Sequence, residues 1–158
     1  MSEPTEPQTT DTASSAHTEY LSFRIDENEY SVEIMSVREI RGWTRTTSLP
    51  HAPPFVRGVI NLRGTVLPVV DLAVRLGLEA SEPQERNVII VVDVGSRVMG
   101  LRVDAVSDIL SFSDDQLQPP PDMTSKSRFV RALTILDDRM VRILDLEAVL
   151  PSNEEIAA

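Results

Sequence analysis

The segment NLRGTVLPVVDL, residues 61–72, places a single arginine in an otherwise largely apolar stretch. Arg63 precedes Gly64, and glycine readily adopts the positive φ that a tight hairpin turn requires. A guanidinium offers a planar fork of hydrogen-bond donors, and arginine is frequent among the residues that dominate protein–protein binding energy. Two interpretations of Arg63 remain open at this point: an ordinary solvated arginine, or a contact for a protein partner.

No combination of residues typical of an enzyme accompanies this arginine. His17 lies near the N-terminus and His51 follows Pro50, and neither stands with a serine or carboxylate that could complete a catalytic set. The sequence contains no GxGxxG motif, no P-loop and no nucleophile elbow. A hydrolase or small-ligand barrel would need a nucleophile–base pair or convergent polar groups. The sequence therefore predicts no enzymatic activity and no cofactor.

A metal site is also not expected. The chain has no cysteine, which excludes disulfides and cysteine-ligated metals. Asp71, Asp104 and Asp108 could supply oxygen ligands, but they lack the dense, glycine-centred spacing of a calcium loop. We interpret these aspartates as structural or solvated residues.

The composition indicates one globular, acidic domain. The 158 residues are 41% hydrophobic and carry a formal net charge of −10, which is enough chain to bury a core. The acidic surface repels nucleic acid and anionic lipid. No apolar run approaches the roughly 20 residues of a membrane span, and the N-terminus does not resemble a secretory signal. We expect a cytoplasmic protein that binds no nucleic acid and does not insert into the membrane.

Polar segments enclose a chain that reads mainly as β-strands. Residues 1–18 are acidic and nearly free of apolar side chains, which predicts a disordered tail, and residues 151–158 are predicted to be a flexible C-terminus. Between them, alternating apolar residues and short turns predict a series of hairpins. Two short amphipathic pieces, DLAVRL and DLEAVL, are the best helix candidates.

Those two pieces belong to an internal repeat. An offset of 74 residues aligns 58–76 with 132–150 without a gap, and an offset of 69 residues aligns 21–40 with 90–109. Identities are few, but apolar residues match apolar residues and the two alignments occur in the same order along the chain. The pattern predicts a duplicated unit, with two similar β-barrels of about five strands each.

Comparing the repeats separates shared features from features of one copy. Asp71 and Asp145 align, and each precedes a short helix, where an aspartate accepts backbone N–H bonds as an N-cap. Arg63-Gly64 instead aligns with Asp137-Asp138, so the turn itself does not require an arginine. Glu39 aligns with Asp108 and has two open interpretations, a surface strand position or a binding charge.

Four motifs then match a known family. NLRGTVLPVVDL, VREIRG, RVMGLRVDAVSDILSF and DDRMVRILDLEAVL occur in order at compatible spacing, and together with the rest of residues 19–150 they resemble the CheW-like domain of bacterial chemotaxis. The same module occurs within the kinase CheA and in CheV. No kinase, phosphotransfer or receiver segment accompanies it here, so a stand-alone adaptor is the best match.

The resemblance implies a mostly β fold of two SH3-like five-stranded β-barrels related by internal duplication, with short helices. It places the first barrel at about 20–78 and the second at about 86–150, with a terminal strand able to cross between them. It implies a non-enzymatic adaptor that couples chemoreceptor tips to the regulatory domain of CheA in membrane-associated arrays. A coupling protein of a non-flagellar array, for twitching or development, is the alternative.

Individual positions follow from the same motifs. The resemblance assigns kinase binding to Glu39, Arg63, Ile34 and Met35. It assigns receptor binding to Val37, Gly58, Arg63, Val88 and Ile109. One departure concerns Ala132, which stands where the family often has glycine; a positive φ at that position would strain an alanine.

Overall fold

The computed structural model describes residues 17–79, 82–120 and 128–157. Within these ranges it contains ten strands and three short α-helices. The strands are β1 His17–Ile25, β2 Asn28–Glu33, β3 Val37–Gly42, β4 Val56–Leu62, β5 Thr65–Asp71, β6 Val88–Val94, β7 Arg97–Val103, β8 Ala105–Ser113, β9 Val130–Leu136 and β10 Arg139–Leu144. The helices are α1 Leu72–Arg75, α2 Leu146–Val149 and α3 Asn153–Ala157.

The strands form two five-stranded sheets. Sheet A has the order β8-β1-β2-β10-β9, and sheet B has the order β3-β6-β7-β5-β4. Six of the eight neighbouring pairs are antiparallel, four of them hairpins, whereas β2 and β10 are parallel, as are β5 and β7. The prediction of a mostly β chain with two five-stranded units and short helices is confirmed, while closure of each sheet into a barrel stays a prediction.

The sheets do not correspond to consecutive halves of the chain. Sheet A combines the hairpin β1–β2 with three strands of the second half, and sheet B combines the hairpin β6–β7 with three strands of the first half. The predicted barrel bounds, 20–78 and 86–150, are therefore wrong, because an entire hairpin is exchanged between the halves rather than one terminal strand. The repeat shows which segments are alike, whereas strand pairing decides which copy each segment joins.

The exchange of hairpins preserves the predicted repeat: the two sheets have equivalent strand orders and equivalent residue pairs. Replacing each of β1–β5 by its repeat partner among β6–β10, and the reverse, converts the order of sheet A into that of sheet B. The pair Leu21↔Ile109 in sheet A corresponds to Ile90↔Ile40 in sheet B. The parallel pair Ser31↔Ile143 likewise corresponds to Gly100↔Val69. Both offsets read from the sequence are thus confirmed by strand register.

A shared apolar core holds the exchanged strands together. The largest buried cluster takes residues from both sheets, including Phe23, Val70 and Leu101, each with no exposed surface. Smaller clusters belong to one sheet each, around Val69 in sheet B and around Ile143 in sheet A. Burial of each large apolar side chain contributes about 1.5–3 kcal/mol, so the central cluster stabilises the assembly of both halves.

The described ends of the chain differ from their prediction. His17 and Thr18, which we assigned to the tail, open β1 and pair with Ser113 and Phe112; residues 1–16 lie outside the described residues. The C-terminal segment, predicted to be flexible, contains α3, whose Ile156 packs on the central core. Hydrophobic contact and an ion pair between Glu155 and Arg75, 3.6 Å, explain this order.

The two aligned aspartates are N-caps, as predicted. Asp71 accepts a hydrogen bond from the backbone N–H of Ala73, and Asp145 accepts one from Glu147. Each cap satisfies a helix N–H that has no partner within the helix. The same geometry in both halves supports an architectural role for these carboxylates.

Candidate protein-interaction surface

The β4–β5 turn holds Arg63 away from the body of the protein. Arg63 and Gly64 both have positive φ, 50° and 89°, as a two-residue turn matched to strand twist requires. The Asn61 side chain accepts a hydrogen bond from the Gly64 N–H at 2.8 Å. The Arg63 side chain is 70% exposed. A short, internally bonded turn therefore presents this guanidinium to solvent.

Arg63 nevertheless has a partner within the chain. Its Nη2 lies 2.8 Å from Glu39 Oε1, and the other Glu39 oxygen lies 3.4 Å from Arg41 Nη1. Glu39 is on β3 and Arg63 is at the tip of β4–β5, which are opposite edges of sheet B. The sheet curls enough to bring them together. The structure thus shows a charged pair rather than the isolated cation that the sequence suggested.

The pairing changes the acidity of Glu39. A hydrogen bond from Arg63 is the main cause that lowers the pKa of the Glu39 carboxyl below its ordinary value, while desolvation opposes it. Because the pKa is lower in the folded state, the stabilisation by this pair is fully present above the unfolded-state pKa. It is lost as the pH falls through the folded-state pKa.

We expect Arg63→Gln to raise the Glu39 pKa toward its ordinary value, because the variant loses the principal charged donor. Carboxyl ¹³C NMR titration of wild type and variant measures this shift. Arg41→Gln is the matched control and should produce a smaller rise, since Arg41 is the more distant donor. Equal pKa values in wild type and Arg63→Gln would contradict the pairing.

Apolar side chains lie around this charged pair. Leu62, Leu67 and Val98 lie beside the pair, whereas the exposed Val66 and Ile40 alternate onto the opposite face of sheet B. A shallow cleft of about 230 Å³ lies at the pair; it is lined by Arg38, Glu39, Leu62, Arg63, Thr65, Leu67 and Val98. We call these lining residues the Arg63 cleft. An exposed arginine beside apolar side chains in a shallow cleft is typical of a protein-binding hot spot.

The other two predicted kinase-binding residues lie before β3 in a 3-10 turn, Ile34–Ser36. Ile34 is half-buried against the central core, and Met35 is 87% exposed. The predicted kinase set is therefore divided between two locations. Glu39 and Arg63 are in contact, whereas Ile34 and Met35 precede the start of β3.

The predicted receptor set is spread further across the structure. Val37 and Val88 are half-buried against the central core and lie at opposite ends of the β3–β6 pair. Ile109, on the edge strand β8, is 60% exposed and is the repeat counterpart of Ile40. Arg63 belongs to the Arg63 cleft. The structure does not gather these side chains into one patch, and their roles stay predictions.

Gly58 is buried, so its assigned role has a different physical basis. Its φ is 140°, and a Cβ built on it would lie 2.3 Å from the Thr47 carbonyl oxygen. Thr47 and Val59 exchange two backbone hydrogen bonds, 2.8 and 2.9 Å, so the chain at Thr47 runs along the edge of β4. Ala132, the repeat counterpart of Gly58, is not among the described residues with positive φ. The strain anticipated for an alanine at that position therefore does not occur.

Sequence reasoning missed a buried ionic cluster at the end of β5. Arg102 is 2% exposed and Asp71 is fully buried. Arg57 bonds Asp71 Oδ2 at 2.7 Å through Nε, and Arg102 Nη1 lies 3.4 Å from both Asp71 oxygens. Asn87 accepts from Arg102 Nη2 at 2.8 Å. One sequence pattern could have indicated this cluster. The alternation of inward and outward residues along β7 directs Arg102 inward, toward the N-cap Asp71.

Two other kinds of feature are not found among the described residues. No group of three or more His, Asp or Glu side chains in the described ranges is arranged to hold a metal ion. No helix there has the length and apolar character needed to cross a membrane.

Comparisons with known proteins define the class. The family model described as a CheW-like domain matches residues 19–154, which is nearly all of the described chain, and the protein belongs to this family. It is 54% identical over 142 residues to the chemotaxis protein CheW of Rhizobium meliloti, covering 89% of this chain and 92% of that protein.

Two further relatives agree with this assignment. A probable chemotaxis protein CheW of Rhizobium etli is 50% identical, covering 89% of this chain and 92% of the relative. The crystal structure of the scaffolding protein TtCheW from Thermoanaerobacter tengcongensis superposes with a TM-score of 0.79 at 31% identity, covering 86% of this chain and 94% of that one. Two of the relatives carry chemotaxis in their names, and the third is named a scaffold.

Proposed function

We propose that this protein is a non-enzymatic adaptor that couples chemoreceptors to the histidine kinase CheA in bacterial chemotaxis. The family, the relatives named chemotaxis proteins and the scaffold with the same fold support this proposal. Its site of action is the cytoplasmic face of membrane-associated receptor arrays. A CheW-like coupling protein of a non-flagellar array remains the alternative, because the same module and surface serve either pathway.

The observation that carries the proposal is the exposed Arg63–Glu39 pair at a shallow cleft whose apolar lining is Leu62, Leu67 and Val98. The hydrogen-bonded turn fixes the backbone and the contact with Glu39 orients the guanidinium, which reduces the conformational entropy lost when a partner binds. The net charge of −10 disfavours unspecific association with acidic proteins, whereas Arg63 provides a local positive contact. We assign the Arg63 cleft to kinase or receptor binding, with Met35 and Ile109 as further exposed contacts.

We expect Arg63→Glu to weaken binding by at least about tenfold, since hot-spot arginines dominate interface energies. The far-UV CD spectrum and melting midpoint should change little, because exposed ion pairs contribute little to stability. Isothermal titration calorimetry against the CheA regulatory domain, and separately against a receptor cytoplasmic fragment, shows which partner loses affinity.

Two further variants serve as controls for this measurement. Arg24→Glu makes the same charge change at an exposed position on sheet A and should leave both affinities unchanged. The double variant Glu39→Arg/Arg63→Glu restores an internal ion pair with reversed charges and should still bind poorly. Recovery of binding in the double variant, or unfolding of Arg63→Glu, would contradict a direct contact by Arg63.

A further inference from the structure

A cleft of about 370 Å³ lies beside the start of α2, in the second half of the chain. Its charged lining residues are Glu33, Arg131, Asp145 and Glu147, and its apolar walls include Val94 and Leu144. Three carboxylates against one guanidinium give the cleft a local formal charge of −2. It is separate from the Arg63 cleft, with which it shares no lining residue.

The internal duplication shows what the equivalent location on sheet B contains. The two repeat offsets align Asp145 with Asp71, Arg131 with Arg57, and Glu33 with Arg102. The cleft is therefore the repeat counterpart of the buried ionic cluster. There the Arg102 guanidinium is 2% exposed, lies 3.4 Å from Asp71 and fills the space beside the cap.

The same cap carboxylate has fewer partners in the second half. Asp145 accepts the backbone N–H of Glu147 at 3.0 Å and has no ion pair among the described residues. Arg131, the counterpart of the Asp71 partner Arg57, instead lies 3.0 Å from Glu33 and 3.1 Å from the Tyr20 hydroxyl. Where sheet B has an internal guanidinium, sheet A has an open cleft with a carboxylate at each side.

We propose that this cleft receives the guanidinium of an arginine carried by a protein partner, which lies between Glu33 and Asp145 as Arg102 lies beside Asp71. A planar guanidinium can bind both carboxylates through separate donors, which an ammonium does less well. Val94 and Leu144 provide apolar surface for the methylene stem.

The surroundings favour an arginine on a protein over the free amino acid. Glu33 and Arg131 keep 45% and 39% of their side-chain surface exposed, so the cleft alone encloses a single side chain incompletely. Met35, 87% exposed, is two residues from Glu33 and gives a partner apolar surface beside the cleft. The α-carboxylate of free arginine would also lie near the acidic lining, which a peptide-borne arginine avoids.

The test uses ¹⁵N-labelled full-length protein and N-acetyl-arginine amide, which mimics an arginine within a chain. We expect saturable amide shifts at Asp145, Leu146 and Glu147, with weaker binding of free L-arginine and of N-acetyl-lysine amide. No saturable shift would overturn the proposal. Equal or tighter binding of the lysine amide would overturn the preference for a guanidinium, and tighter binding of free arginine would overturn a protein-borne source.

Two variants connect the shifts to the cleft. Asp145→Asn retains a good N-cap and should weaken binding about tenfold through loss of one charged acceptor. Glu33→Arg places an arginine at the position equivalent to Arg102 and should abolish binding by filling the cleft internally, with an unchanged melting midpoint. Wild-type affinity in both variants would overturn the proposal. No partner protein is needed, so the result is independent of the proposed coupling function.

Discussion

Replacement of Arg102 by methionine should lower the free energy of unfolding by about 3 kcal/mol, because removal of one member of a buried ion pair leaves its partner incompletely compensated. Asp71 would keep Arg57 and the α1 backbone as partners, whereas Asn87 would lose its bonds to Arg102. Methionine fills most of the volume, so the loss reflects charge and hydrogen bonding more than an empty cavity.

Urea unfolding monitored by CD measures this difference through the midpoint, at unchanged slope. Arg38→Met is the matched control: Arg38 pairs with Asp93 at 3.1 Å, but 60% of its side chain is exposed, and such pairs contribute about 0–1 kcal/mol. Comparable losses in the two variants would show that burial does not determine the importance of the Arg102 cluster.

Gly58→Ala should destabilise the protein by about 3 kcal/mol, because the new Cβ combines an unfavourable φ with overpacking. The atom it meets, the Thr47 carbonyl oxygen, is backbone and paired to Val59, so relief requires the Thr46–Thr47 segment to leave the edge of β4. We expect partner binding to weaken as a consequence of this displacement rather than through a lost contact.

Other glycines of the chain provide graded controls for this effect. Gly95 has φ 62° with open space around its Cβ position, and Gly42 has neither positive φ nor a neighbour within 4 Å. Gly95→Ala should therefore cost about 1–2 kcal/mol, and Gly42→Ala about 0.5 kcal/mol or less. Chemical shift changes confined to Gly58 itself, with Thr46 and Thr47 unaffected, would contradict the displacement.

Much of the fold follows from local sequence patterns. Alternating apolar residues locate the strands, and Gly95-Ser96 and Asp137-Asp138 locate two turns. The repeat offsets predict residue register across the sheets, including Leu21↔Ile109 against Ile90↔Ile40. These features are predictable because each depends on residues that are close in sequence or on equivalence between two similar segments.

The features that sequence reasoning missed depend on long-range pairing. Glu39 meets Arg63 only because sheet B curls, and no periodicity of β3 or β4 encodes that contact. The exchange of hairpins depends on whether β2 pairs with β5 or with β10, two candidates of similar apolar character. Strand pairing of this kind depends on the packing of the whole core. The residues of the candidate site could therefore be predicted from the sequence, but their contacts could not.

The exchange of hairpins also constrains how this protein can be made and divided. During synthesis, β1 and β2 leave the ribosome first, yet the strand that flanks β2 in sheet A ends at Leu144, so the early hairpin must wait for nearly the whole chain. Cutting the gene between the repeats yields no half-sized protein, since each fragment lacks strands for both sheets. The two fragments are instead suited to a complementation experiment, in which each should fold only when the other is present.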